Sequence, residues 1–119
     1  MSRLIKSFGY AWQGIRSVFS TEANMKIHAG VAVLVIVAGF LLKISPLEWI
    51  VALLCMGLVF SAEMFNTAIE LLVDKVSSQK DPVAGKVKDI AAGAVLIAAC
   101  ISVVVGVIIF LPKLIQWIV

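Results

Sequence analysis

Glu63, Asn66, Glu70 and Asp74 stand at spacings of three, four and four residues within the stretch 61–75, SAEMFNTAIELLVDK. At about 100° per residue they share an arc of roughly 80° on a helix. Met64, Phe65, Ala68, Ile69, Leu71, Leu72 and Val73 cover the remaining surface. Carboxylates with one amide suit a hard divalent cation such as Mg²⁺, which one or two carboxylates hold together with phosphate oxygens. A carboxylate in low-dielectric surroundings also suits a general base acting on a hydroxyl.

The stripe continues an apolar run, 47–60, that contains no helix breaker. A helix leaving a membrane therefore carries three carboxylates on a narrow face, and charges at that depth need partners. A helix end emerging into water would account for Glu70 and Asp74. It accounts poorly for Glu63, which has apolar residues on both sides. Glu22, ahead of the first apolar segment, and Lys88 and Asp89, at the head of the last one, come to the same level. Lysines there suit phosphate charge, and the parts fit phosphoryl transfer, in which positioning and electrostatics do most of the work. No GxxxxGK[ST], GxGxxG, HRD or DFG sequence is present. From spacing alone the reading stops at an acidic, metal-capable site at one membrane face. The competing class is a small channel or assembly factor, but a pore would spread its charges along a lumen, and these gather at one end.

The elements that must hold these residues follow from composition. The chain of 119 residues is 62% hydrophobic and 14% charged, with a mean hydropathy of +1.11. That is an all-α integral membrane protein forming a single domain over 1–119. Residues 2–19 read as an amphipathic surface helix with Tyr10 and Trp12 at headgroup level. Ser20-Thr21 reads as a stop and start signal, with Glu22 early in the next helix. Three spans follow, at about 27–43, 47–76 and 90–111. Pro46 suits a first helical turn. Residues 77–87 read as a polar loop with turns at Asp81-Pro82 and Gly85, and Pro112 is expected to end the last span. Met1 to Phe19 does not read as a cleavable signal. Cys55 and Cys100 lie in apolar runs and read as packing residues, with neither a disulfide framework nor metal spacing. The lone histidine, His28, reads as an interfacial packing residue in preference to a ligand or switch.

Orientation follows from the basic residues. Arg3, Lys6, Arg16 and Lys26 precede the first span, and Lys75, Lys80, Lys86 and Lys88 lie around the second loop. Only Lys43 and Lys113 lie at the other end. The positive-inside rule places the N-terminus and that loop in the cytoplasm and the C-terminus outside. The net charge of +3 includes no basic cluster interleaved with aromatics, so nucleic acid is not an expected partner.

The pattern E-x-x-N-T-A-I-E-x-x-x-D at 63–74, followed by Lys86, Lys88, Asp89, Ala91, Ala92, Gly93 and Ala94, resembles the prokaryotic diacylglycerol kinase family, which includes the undecaprenol kinases. The segments KSFGYAWQGIR and TEANMKIH resemble it too, so the likeness covers nearly the whole chain. It implies a homotrimer in the bacterial cytoplasmic membrane, each chain having a surface helix and three spans, with active sites between subunits on the cytoplasmic side. It implies ATP as phosphate donor and a membrane lipid alcohol as acceptor. Glu63 would be the general base, and Glu22 and Glu70 would hold the metal on ATP. Asn66 and Asp74 would support the site. Arg3, Tyr10, Lys88 and Asp89 would contact the nucleotide, and Glu63 and Trp12 would face the lipid. Gln79, Lys80 and Asp81 occupy the family's nucleotide-facing loop, where the match is poor. The runs 24–28, 43–45 and 109–113 look more like the undecaprenol kinases of Gram-positive bacteria, which favours undecaprenol, with diacylglycerol as the alternative.

Overall fold

The computed structural model describes residues 2–77 and 79–119. The order is α1 (Arg3–Thr21), α2 (Ala23–Leu41), α3 (Pro46–Val76) and α4 (Pro82–Ile118). The last three are long and apolar enough to cross a membrane. At 1.5 Å per residue the 31 residues of α3 reach about 46 Å, well beyond the hydrocarbon thickness of about 30 Å. The overshoot carries Glu70 and Asp74.

α1 is capped by Ser2, whose hydroxyl accepts from the Ile5 N–H. It runs through the expected break at Ser20-Thr21, because both hydroxyls donate back to the Ser17 carbonyl, at 3.0 and 2.8 Å. Such back-bonding keeps a serine or threonine inside a helix. The break falls at Glu22, the single residue between α1 and α2, with extended backbone. α2 closes at Leu42, and Lys43 turns the chain with φ 54°. Ser45 and Glu48 form a capping box at the start of α3, and Pro46 takes the first helical turn, where its missing N–H costs nothing.

The expected polar loop is shorter than 77–87. Asp81 accepts from the Val83 N–H at 2.9 Å, so Asp81-Pro82 is a cap and first turn, and Gly85 lies within α4 instead of marking a turn. Nor does Pro112 end the last helix, which continues to Ile118. In an apolar medium the following residues have no better hydrogen-bond partners than their own helix. Lys113, one position further on, also pins α4 to Glu48 of α3 at 3.2 Å.

α3 and α4 form the most extensive pairing, while α2 packs mainly on α3. Ala52 and Val59 of α3 and Ala91 and Ala98 of α4 are buried, small enough to let the backbones approach. Phe40 and Trp49 (ring centroids 4.9 Å apart) join α2 to α3 at one end, and Phe19 and Phe60 (5.6 Å) seat α1 on α3. Most large apolar side chains of α2 and α4 face outward, as lipid contact requires and water would not tolerate.

Candidate active site

The innermost groups of the α3 stripe are buried. Glu63 is 2% exposed, and Asn66 and Thr67 are 7% each. Helical spacing sets what each can reach. The Asn66 side-chain amide donates to Glu70 Oε1 at 3.2 Å, one turn further along the same face. Thr67, adjacent to Asn66, donates from Oγ1 to Glu22 Oε1 at 3.2 Å. Glu22 can make that contact because its side chain does not cap α2. Two neighbouring residues of α3 thus hold the two carboxylates expected to bind a metal.

At the outer end of the stripe, Lys88 pairs with Asp74 across the short α3–α4 connection. Lys88 lies ahead of the apolar stretch of α4 that begins at Ile90. The hydrogen bond to Asp74 holds its ammonium above the usual lysine range, against some desolvation, and the charges of Asp74 and Glu70 add to the effect. Lys88 is therefore a cation tied to Asp74 at the outer end of the stripe.

Among the described residues, no three His, Cys, Asp or Glu side chains gather closely enough to hold a metal by themselves. The donor set nonetheless fits Mg²⁺ on a nucleotide. Glu22 and Glu70 are each held through one oxygen, and Asn66 Oδ1 is buried with no hydrogen-bond partner. A hard cation that takes most of its remaining ligands from phosphates and water needs no more.

The structure does not gather every expected site residue. Arg3, Tyr10 and Trp12 stay on the exposed surface of α1, apart from this network, and Asp89 is exposed beside Lys88. Gln79 and Lys80 are exposed, and the Asp81 carboxylate is engaged in capping α4.

Two residues take part in ways that the sequence reading did not assign. Thr67 is one; it stands in the resembled motif beside Asn66 without a role of its own. His28, expected to be an interfacial packing residue, is the other. Its Nε2 lies 3.7 Å from Glu63 Oε2, which is not the position of a packing residue alone. His28 also begins the α2 wall of an apolar cavity of about 290 Å³, lined further by Val35, Ala52, Val59, Ser102 and Phe110. Glu63 therefore faces a residue that lines this apolar space, one helical turn from Val59 in the same lining.

A buried carboxylate, a carboxylate–amide–lysine face and three membrane-length helices define a small integral membrane protein with an acidic, lysine-flanked site. Comparison with known proteins supplies the chemistry. The family model for prokaryotic diacylglycerol kinase matches residues 9–110, and the chain belongs to that family of lipid kinases. A protein of Bacillus subtilis named undecaprenol kinase is 45% identical over 114 residues, covering 96% of this chain and 93% of its own. One of Synechocystis named diacylglycerol kinase is 41% identical, covering 95% of this chain and 65% of its own. One of Escherichia coli K12, also named diacylglycerol kinase, is 31% identical, covering 87% of this chain and 84% of its own.

Proposed function

We propose that this lipid kinase transfers the γ-phosphate of Mg-ATP to the hydroxyl of undecaprenol at the cytoplasmic face of a bacterial cytoplasmic membrane. The observation that carries it is Glu63: a carboxylate 2% exposed, at the inner limit of the polar stripe and beside an apolar cavity. A base at that depth meets a lipid hydroxyl without the lipid leaving the bilayer. Glu63 takes the hydroxyl proton as the oxygen attacks the γ-phosphorus and ADP departs. Glu22 and Glu70 are the residues that would hold Mg²⁺, which when bound offsets the charge of the triphosphate. Lys88 faces the same phosphates, while Asn66, Thr67 and Asp74 orient their neighbours. Arg3, Tyr10 and Asp89 complete the nucleotide's surroundings, with Gln79, Lys80 and Asp81 at its edge.

The remaining features of this reading combine physical requirements with what the family resemblance implies. α1 lies in the membrane interface, with Trp12 facing the lipid. The basic residues keep the site on the cytoplasmic side. The chain works as a homotrimer, which brings the exposed α1 residues of one copy within reach of a site on the next. Undecaprenol is preferred because the B. subtilis relative is an undecaprenol kinase by name. Diacylglycerol is the second reading, favoured by the names of the Synechocystis and E. coli relatives. The test offers both lipids in competition, with labelled ATP, to the protein in vesicles. Predominant labelling of undecaprenol is expected, and predominant phosphatidic acid would reverse the choice.

A further inference from the structure

On the reading above, Glu63 gains a proton in every turnover and has to release it from a site almost closed to water. His28 Nε2 lies 3.7 Å from Glu63 Oε2. Both atoms are buried, and neither has a hydrogen-bond partner among the described residues. Two unpaired buried polar atoms facing one another are costly unless they interact at some stage of the cycle. Their separation exceeds a hydrogen bond, but catalytic pairs are often long without substrate and tighten when it binds. The two side chains also differ in access: that of Glu63 is 3% exposed and that of His28 19%. The imidazole is thus the more accessible of the two groups. An imidazole nitrogen can accept a proton and the ring can release one.

We infer that His28 is the positioning residue through which Glu63 is reset, and this rests on the reading of Glu63 as the base. The acceptor O–H bond breaks and its proton goes to Glu63. The new O–P bond forms as the bond from the γ-phosphorus to the bridging oxygen breaks, and that electron pair leaves with ADP. The proton then passes from Glu63 Oε2 to His28 Nε2, and the imidazolium releases it to water. Carboxylate and neutral imidazole are both restored, and no further reactant is needed.

The test uses the full chain in vesicles containing either undecaprenol or diacylglycerol, with His28→Gln, His28→Ala and Glu63→Gln beside the wild type. His28→Gln and His28→Ala are expected to lower kcat about 10²-fold, with KM for ATP unchanged because the nucleotide groups lie elsewhere. Added imidazole should raise the turnover of His28→Ala. Pyrazole, of the same shape but far less basic, should not. A His28→Gln enzyme within twofold of wild-type kcat overturns the inference. So does a matching rise in KM for ATP, equal rescue by pyrazole, or no rescue of a folded His28→Ala. If His28→Ala does not fold, the His28→Gln result decides alone. Failure of the underlying reading is separately visible. Wild-type enzyme that labels only diacylglycerol changes the acceptor and leaves the His28 ratios readable, whereas Glu63→Gln with full turnover removes the base itself.

Discussion

Thr67 Oγ1 donates to Glu22 Oε1 at 3.2 Å, tying the junction of α1 and α2 to the middle of the polar stripe. Glu22 is the only residue between those helices, so this bond fixes the direction of a carboxylate that its own backbone leaves free. Thr67→Val keeps the shape and removes the hydroxyl. We expect KM for Mg-ATP to rise about tenfold, the scale of one hydrogen bond to a charged group, with little change in kcat. Thr67→Ser should restore most of the loss. Unaltered ATP and Mg²⁺ dependence in Thr67→Val would separate Glu22 from the nucleotide.

Glu70 bears on the metal more directly. Glu70→Gln can still accept from Asn66, so local structure should persist while one charged ligand disappears. The expected outcome is loss of most activity, with the residual activity needing a higher Mg²⁺ concentration. Thermal unfolding should change little. Near-normal turnover at ordinary Mg²⁺ would take Glu70 out of the site.

Gly39 tests the packing away from the chemistry. A Cβ there would fall 2.6 Å from Trp49 Cη2 and 2.8 Å from Cζ2. The indole cannot easily retreat, because it lies against Phe40. Gly39→Ala gains up to about 1 kcal/mol of helix propensity but overpacks the α2–α3 contact at a typical cost of about 1–3 kcal/mol. The second effect should win, lowering the thermal midpoint while KM for ATP holds. A raised midpoint would show that Trp49 moves freely.

Orientation is open to chemical labelling. With a cytoplasmic N-terminus, a cysteine at Gln79 should react with an impermeant thiol reagent only from the cytoplasmic side, and one at Gln116 only from outside. Both positions are exposed. The background is the double variant Cys55→Ala/Cys100→Ala, since both native thiols are free. The reverse pattern would place the carboxylates away from cytoplasmic ATP.

The α3 stripe was legible because a helix converts spacing directly into a shared face, and Asn66 and Glu70 meet by that rule alone. The place of Pro46 in the first turn of α3 was equally local, and the capping box of Ser45 and Glu48 beside it was not read. What escaped depends on tertiary approach. Thr67 meets Glu22 from 45 positions away, and His28 meets Glu63 only because α2 lies against α3. No period in the sequence encodes either contact. The misplaced boundaries have a different origin. Asp81-Pro82 carries turn chemistry but serves as the cap and first turn of α4, and Pro112 is a tolerated interruption where the alternative is unpaired backbone in lipid.

Glu63 separates mechanism from scaffold. Its Oε2 faces His28 and has no hydrogen-bond partner among the described residues, so the wild-type side chain contributes little that an amide of the same size would lose. Glu63→Gln can still bond to the imidazole but cannot take a proton. Removing a general base typically costs 10²–10⁴-fold in rate. Nucleotide affinity should hold, because Glu22, Glu70 and Lys88 are bound to other groups and not to Glu63. Stability should hold or rise, since a buried charge is removed. Turnover, ATP affinity and thermal midpoint are therefore measured on one preparation of the variant. A fall in turnover alone identifies the base. A fall in all three together would mean that Glu63 holds the bundle or the metal, and the proton would then have to leave by another group.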